Sequence, residues 1–414
     1  METLLERARE MSAEYKGVKK VAVAHSGGLD SAVIAHLLSK SGFIVHPVVV
    51  NIGQHSDFLR IEKNAKSMFS ECHVVDMRQE FAESIFRALK SNFGAYGGPN
   101  TGGISRPIIA LALVETARKI GCTAIAHGSS GVGNDHLNME NSLRVLAPDI
   151  RIMAPVRDLD MRRDEAIAYA KKEKLGTNLP RAEKFSADEN LSGRVIRQGI
   201  AVDPSEPAPE EAYKWTVSPS KAPDRPAEVI LEFSDGIPAA AVINGKKVTG
   251  GVAMLESLNE IGGKHGVGRL DSLDDKIVGL KVREVYEMPA FLILLAAHRE
   301  LEAITLTTRE LDAKMRMDIT WCQLVHDGGW YTRLRRSLDA FTDETERVVD
   351  GIVTIELYKG GISVKSRKSA HALYNARLSG RGKDGVFSQK EARHFAKLYS
   401  LQEIIAYMLD SGRK

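Results

Sequence analysis

The sequence predicts an α/β protein in which a doubly wound parallel sheet forms a first domain, followed by a second, α+β domain and a terminal helix. Three observations predict it. Over residues 1–175 short apolar, β-rich runs alternate with stretches of helical spacing, the pattern of parallel βαβ units. After that the character shifts to a proline-rich connection and hairpin signals. Finally, residues 389–409 repeat apolar side chains at helical spacing with no segment after them to pack against. The expected division is therefore 1–175, 176–388 and 389–414.

Strands are expected at Val21–Ala24, Ile44–Val50, Cys72–Val75, Thr123–Ala126 and Arg151–Met153. Between them, Ile34, Leu37 and Leu38 share a helix face that Gly42 ends, and Ile109, Leu113, Ala117 and Ile120 share another that Gly121 ends. Ligands of such sheets sit beyond the carboxyl ends of the strands, so the loops after Ala24, Val50 and Ala126 are expected to share one mouth. Six prolines in 203–226 imply an extended surface connection. Val229–Phe233 reads as a strand, Asn244-Gly245 as a type I′ turn, and Ile352–Tyr358 with Ile362–Val364 as a hairpin about Gly360-Gly361. Met254–Ile261 and Thr308–Ile319 are helical. The terminal helix, with Phe395, Leu398, Ile404, Ile405 and Met408 on its apolar face, either packs on its own domain or docks on a neighbouring subunit.

Composition excludes several classes of function. Lys and Arg number 57 against 54 Asp and Glu, so no basic stripe invites nucleic acid. The longest apolar run, Ala290–Ala297, is far short of the ~20 residues that span a bilayer. Three scattered cysteines form neither a disulfide framework nor a metal knuckle, and the histidines match no metal-ligand spacing, so no metal site is expected. The charged N-terminus resembles no signal or transit peptide; the expectation is a soluble, cytoplasmic protein.

The most informative segment is His25-Ser26-Gly27-Gly28-Leu29-Asp30-Ser31, between the strand ending at Ala24 and a helix. Glycines open the backbone, and the first helical N–H groups and the helix dipole make an anion cradle. It lacks the lysine of a Walker loop and is no GxGxxG fingerprint. The alternative is a tight turn capped by Ser26 or Asp30. A loop gripping the β- and γ-phosphates as one leaving unit suits attack at the α-phosphorus, which activates an oxygen nucleophile as its AMP derivative. A second turn, His127-Gly128-Ser129-Ser130-Gly131-Val132-Gly133-Asn134-Asp135, follows another strand. Ser130, Asn134 and Asp135 suit a substrate's amine and carboxylates, or Asn134 or Asp135 simply caps the next helix. His127 is a general base or a structural hydrogen-bonder.

At these two turns the chain resembles argininosuccinate synthases, and the resemblance runs nearly its whole length. Further similar blocks are NIGQ (Asn51–Gln54), SRP (Ser105–Pro107), LAPDIRIMAPVRD (Leu146–Asp158), FSADENLSGR (Phe185–Arg194), EIGGKHGVGR (Glu260–Arg269), VREVYEMPA (Val282–Ala290), AHRELE (Ala297–Glu302) and LYKGG (Leu357–Gly361). The resemblance implies an ATP-pyrophosphatase (PP-loop) domain, a synthetase domain and a C-terminal helix used to build a homotetramer. It also implies a carbon–nitrogen ligase: the ureido oxygen of citrulline is adenylated, pyrophosphate leaves, and aspartate displaces AMP.

Carried onto this chain, the resemblance assigns ATP to Ala24, His25, Ser26, Gly27, Gly28, Leu29, Asp30, Ser31, His127 and Gly128, with Mg2+ arriving on the phosphates. Ser26, Asp30 and Arg106 are the candidate catalytic residues, Arg106 adding positive charge at the phosphates. Ser130, Asn134 and Asp135 are assigned to aspartate; Asn134, Asn138, Ser186, Asp274 and Tyr286 are expected to face the acceptor. Here the chain departs from the family. Asn138 stands where the family has arginine, Asp274 where it has glutamate, Val195 where it has serine and Val132 where it has lysine. The family's tyrosine and serine before its Arg-Pro pair fall on or near Gly98 and Gly103, within a glycine-rich loop where Tyr96 is a replacement ring. A charge-assisted hydrogen bond is worth about 1.5–3 kcal/mol, so these losses bear on citrulline binding. Two readings stay open: a divergent synthase with a rebuilt carboxylate site, or a relative whose acceptor is another ureido, amide or lactam carbonyl. Rivals from other classes are a tRNA-modifying PP-loop enzyme and a nucleotide sensor without catalysis.

Overall fold

The computed structural model describes residues 3–94, 99, 101–175, 187–197, 203–379 and 389–412. The five expected strands form, as β1 (Lys20–Ala24), β2 (Ile44–Asn51), β3 (His73–Asp76), β4 (Ala124–Ala126) and β5 (Arg151–Met153). They make one parallel sheet in the order β3-β2-β1-β4-β5. Both faces are covered, which is why Val21, Ala22 and Val23 are all buried rather than alternating. Gly42 and Gly121, at φ +96° and +72°, follow the helices Leu29–Lys40 and Thr101–Ile120 as expected.

The later strands are β6 (Ala187–Asn190), β7 (Gly193–Ile196), β8 (Ala227–Ser234), β9 (Ile237–Ile243), β10 (Lys246–Val248), β11 (Arg269–Asp275), β12 (Lys281–Glu287), β13 (Gly351–Tyr358) and β14 (Gly361–Lys368). They form two antiparallel sheets, β10-β9-β8-β13-β14 and β11-β12-β7-β6. Asn244 and Gly245 both have positive φ, the type I′ geometry expected between β9 and β10. The β13–β14 turn is centred one residue earlier than expected, with Lys359 and Gly360 at φ +43° and +83°. The β11-β12-β7-β6 sheet is not foreseen by the sequence reading, because its strands are rich in charge (RLDSLDD, KVREVYE) and lack clean alternation.

Met1–Ala370 form one compact unit and His371–Lys414 a second. The main core cluster runs from Ala22 to Leu357, so the parallel sheet and the later α+β material share one interior. In the second unit the terminal helix is interrupted: Gln389–Tyr399 and Leu401–Asp410 are separated at Ser400, whose hydroxyl donates to the Ala396 carbonyl. Phe395, Leu398, Ile404 and Ile405 are exposed. No described helix is long and apolar enough to cross a membrane.

A charged cluster is sealed in the first unit. Lys314 Nζ lies 2.8 Å from Glu302 and 2.9 Å from Asp318 and donates to the Lys90 carbonyl at 2.6 Å. His298, fully buried, meets Glu346 at 2.9 Å. Burial opposes charge on this imidazole, but Glu346 and Glu302 overcome it and raise its pKa. A folded-state pKa above the unfolded value means stability that is present below about pH 6.5 and lost as pH rises through the folded value. Urea unfolding is expected to show a larger loss between pH 6 and pH 9 in the wild type than in His298→Asn; equal losses would exclude this role.

Candidate functional site

The turn after β1 has the geometry its sequence implies. Gly27 sits at φ +76°, and a Cβ there would come 2.6 Å from Ile61 Cγ1. Gly28 is the N-cap of Leu29–Lys40, and no side chain caps that helix. Ser26 Oγ contacts the Gly28 N–H only at 3.3 Å and lies 3.2 Å from Ser31 Oγ, which donates to the Gly28 carbonyl at 3.0 Å. No side chain therefore caps the helix, and its first amide donors have no side-chain acceptor. Burial pushes the His25 imidazole down to about 4, so the ring is neutral near pH 7. Burial also raises the Asp30 carboxyl, with Arg163 opposing.

This turn opens into a cleft of about 310 Å3 whose far wall is His55, Ser56, Asp57, Arg60, Ile61 and Asn64. The loops after β1 and β2 do share a mouth. The second loop is shaped by its own side chains: Asn51 Oδ1 accepts from Gly53 N–H, Gln54 Oε1 from Ile52 N–H, both at 2.9 Å. The cleft residues from His55 to Asn64 were not singled out from the sequence; the signal available was only their position after a strand of the parallel sheet.

The turn after β4 builds differently from a cap. Asn134 makes no side-chain cap. Its Nδ2 lies 2.9 Å from His326 Nε2, and its Oδ1 accepts from the Ile277 N–H at 2.9 Å. Asp135 accepts from Arg106 at 2.9 Å and from Arg197 at 2.7 Å, and both guanidiniums also reach Asp188, at 3.2 and 3.1 Å. Burial works against charge on Asp135, yet the two guanidiniums hold its carboxyl well below the usual range. The chain of contacts continues from Arg197 to Glu284 (3.1 Å), Glu284 to Lys276 (2.9 Å), Lys276 to Asp274 (2.6 Å) and Asp274 to His326 (3.4 Å). The Tyr286 hydroxyl donates to Glu284, and burial with that carboxylate raises its pKa. Alternating cations and carboxylates of this kind offer partners to both the ammonium and the carboxylates of an amino acid.

Of the sequence candidates, Asn134, Asp135, Asp274, Tyr286 and Arg106 thus belong to one network, while Ser26, Gly27 and Gly28 line the cleft. Arg106, expected at the phosphates, pairs with Asp135 and Asp188. His127 is buried; its Nδ1 accepts from the Ser129 N–H at 3.3 Å and its Nε2 faces Glu140 at 3.6 Å, as a structural histidine does. Ser130 is exposed. Asn138, expected to face the acceptor, is fully buried beneath the Gly328 turn, and neither of its amide atoms has a partner. Val195, the position of a lost hydroxyl, pairs directly with Tyr286 across β7 and β12. Ser186, Tyr96 and Gly98 lie outside the described residues. Arg197, Glu284, Lys276 and His326 were missed by sequence reasoning, although Glu284 lies inside the quoted VREVYEMPA block.

Comparison with known proteins agrees with this architecture. Residues 20–176 match the family model for the arginosuccinate synthase N-terminal HUP domain, and 185–406 match that for the arginosuccinate synthase C-terminal domain. The argininosuccinate synthase of Methanopyrus kandleri is 43% identical over 394 residues, covering 94% of this chain and 99% of that protein. Those of Pyrococcus furiosus and Pyrobaculum aerophilum are 41% and 42% identical, over 95% and 94% of this chain and 95% and 98% of theirs. With an uncapped glycine turn on a parallel sheet, both domain models in order and this degree of identity along the chain, the protein belongs to the argininosuccinate synthase family.

Proposed function

We propose that the chain is an ATP-dependent carbon–nitrogen ligase that joins citrulline to aspartate, forming argininosuccinate, AMP and pyrophosphate. The observation that carries this reading is the uncapped, glycine-opened helix N-terminus at the mouth of the parallel sheet. Its free amides, with Ser26 and Ser31, hold the β- and γ-phosphates. The ureido oxygen attacks the α-phosphorus and pyrophosphate departs with its electrons; the aspartate amine then attacks the activated carbon, loses a proton and expels AMP. Mg2+ accompanies ATP and is held by its phosphates. Residues 1–175 serve the nucleotide, and 176–388 complete the amino-acid site.

Aspartate is assigned to the Asn134–Asp135 end of the ion network. Asp135→Asn removes the carboxylate shared by Arg106 and Arg197, and is expected to raise the KM for aspartate at least tenfold while leaving the KM for ATP within about twofold. Equal changes in both would remove the assignment.

One observation favours a second reading of the acceptor: where the family has arginine this chain has Asn138, whose fully buried amide supplies no cation to an acceptor carboxylate. On that reading the acceptor is a different ureido, amide or lactam compound. Pyrophosphate release with ATP and aspartate, measured against citrulline and a panel of such carbonyls, decides between them. Robust turnover with citrulline supports the first, and silence with citrulline but turnover with another acceptor supports the second.

A homotetramer is proposed on the exposed apolar face of Gln389–Tyr399 and Leu401–Asp410, which a neighbouring subunit would cover. Deleting 371–414 should lower the number of subunits read from the light-scattering mass; an unchanged subunit number would exclude this face. The cellular compartment proposed is the cytoplasm, in keeping with three free, buried cysteines; a fluorescent fusion found in another compartment would exclude it.

A further inference from the structure

Far from the turn after β1, the parallel sheet brings His46 beside Glu71 and His73, which lie a strand later in the chain. His46 is the third residue of β2, His73 opens β3, and Glu71 lies in the turn just before β3. Because β2 and β3 run parallel, with Val48 opposite His73, both imidazoles lie towards the amino ends of their strands. The ligand mouth begins after Asn51, five residues or about 16 Å of strand away.

His46 Nδ1 lies 3.3 Å from Glu71 Oε2, and His73 Nε2 lies 3.7 Å from the same oxygen. One donor atom from each of the three residues falls within 4.8 Å of the others. The His46 side chain is only 9% exposed, yet its Nε2 has no partner, while its Nδ1 and the His73 Nε2 have only the Glu71 carboxylate, without hydrogen-bond geometry. Buried ring nitrogens without partners are costly. A tetrahedral ion with bonds of about 2.0–2.1 Å places neighbouring ligand atoms about 3.3 Å apart, close to the observed separations. Two imidazoles and one carboxylate are a zinc-type donor set, poorly suited to Mg2+ or Ca2+. Glu71 is 60% exposed, so the fourth position opens to water and the site has an entry path. Cys72, between Glu71 and His73, packs instead with Val49 and Ala65 and is not a donor here.

By contrast, the second such group among the described residues, His298 with Glu302 and Glu346, already holds Lys314 as its cation.

We propose that His46, Glu71 and His73 bind one Zn2+-class ion, clamping edge strand β3 to β2 independently of catalysis. The test uses the full chain, stripped with EDTA and dialysed, then titrated with Zn2+ by calorimetry and by thermal unfolding. One Zn2+ per chain and a Tm higher by several degrees at saturating metal are expected, with no shift for Mg2+ without ATP. His73→Asn and Glu71→Gln should weaken binding at least tenfold and abolish the Tm shift, while Cys72→Ser keeps both. Absence of stoichiometric binding in the wild type, or wild-type binding by His73→Asn, would overturn the proposal. Loss of binding in Cys72→Ser would overturn this donor set. ATP turnover is expected to survive metal removal, so this outcome is separable from that of the ligase reading.

Discussion

Gly27→Ala is expected to lower kcat/KM for ATP by at least about a hundredfold. The residue sits at φ +76°, where any side chain is strained, and its Cβ would lie 2.6 Å from Ile61 Cγ1. The Ile61 side chain, carried on the helix Phe58–Met68, can give way, but the positive φ strains the turn itself and shifts its backbone amides at the cleft. A displacement of about 1 Å in positioned reactants costs on the order of a hundredfold in rate. The effect should appear in pyrophosphate release while the far-UV circular dichroism and the urea midpoint change little. Unchanged kinetics in a folded variant would show that the turn does not hold ATP.

The largest effect on stability is expected from Lys314→Met, at about 3–5 kcal/mol, the usual cost of removing one partner of a buried ion pair. Lys314 is the cation among Glu302, Asp318 and Glu346, all buried, and its ammonium also holds the Lys90 carbonyl. The cluster sits where the helices Pro289–Thr305, Thr308–His326 and Arg333–Glu346 meet, so methionine leaves three carboxylates facing one another and His298. A nearby control separates burial from charge as such. Arg316 pairs with Asp312 at 2.8 Å on the exposed side of the same helix. Arg316→Ala should cost no more than about 0.5 kcal/mol, since exposed pairs contribute little. Urea titration of both variants checks the contrast; similar losses would mean the buried cluster is not a unit.

Much of the parallel domain was legible because its determinants are local. Apolar runs set the five strands, glycines at Gly42 and Gly121 end helices, and the Asn244-Gly245 turn needs only its own two residues. The turn after β1 was legible for the same reason: a short glycine motif sets its backbone and leaves the following helix without a side-chain cap. The ion network around Asp135 was only half legible. Asn134 and Asp135 stand in a recognisable turn, but Arg197, Lys276, Glu284 and His326 come from distant segments and join only through the fold. Arg106 shows the converse: its residue type suggests a phosphate contact, while its pairing with Asp135 and Asp188 comes only from the fold. The β11-β12-β7-β6 sheet escaped because its strands carry charges that pair across the sheet, such as Arg283 with Asp271 and Arg194 with Glu189, which erases the alternation of apolar residues.

The central claim concerns which bond of ATP breaks. A quenched reaction of the full chain with ATP, Mg2+, aspartate and an acceptor that turns over, resolved by anion-exchange chromatography, tests it most directly. AMP and pyrophosphate in equal amounts, with repeated turnover only when both aspartate and the acceptor are present, are the expected products. ADP and orthophosphate would contradict the account, because a turn that grips the β- and γ-phosphates together cannot release the γ-phosphoryl group alone.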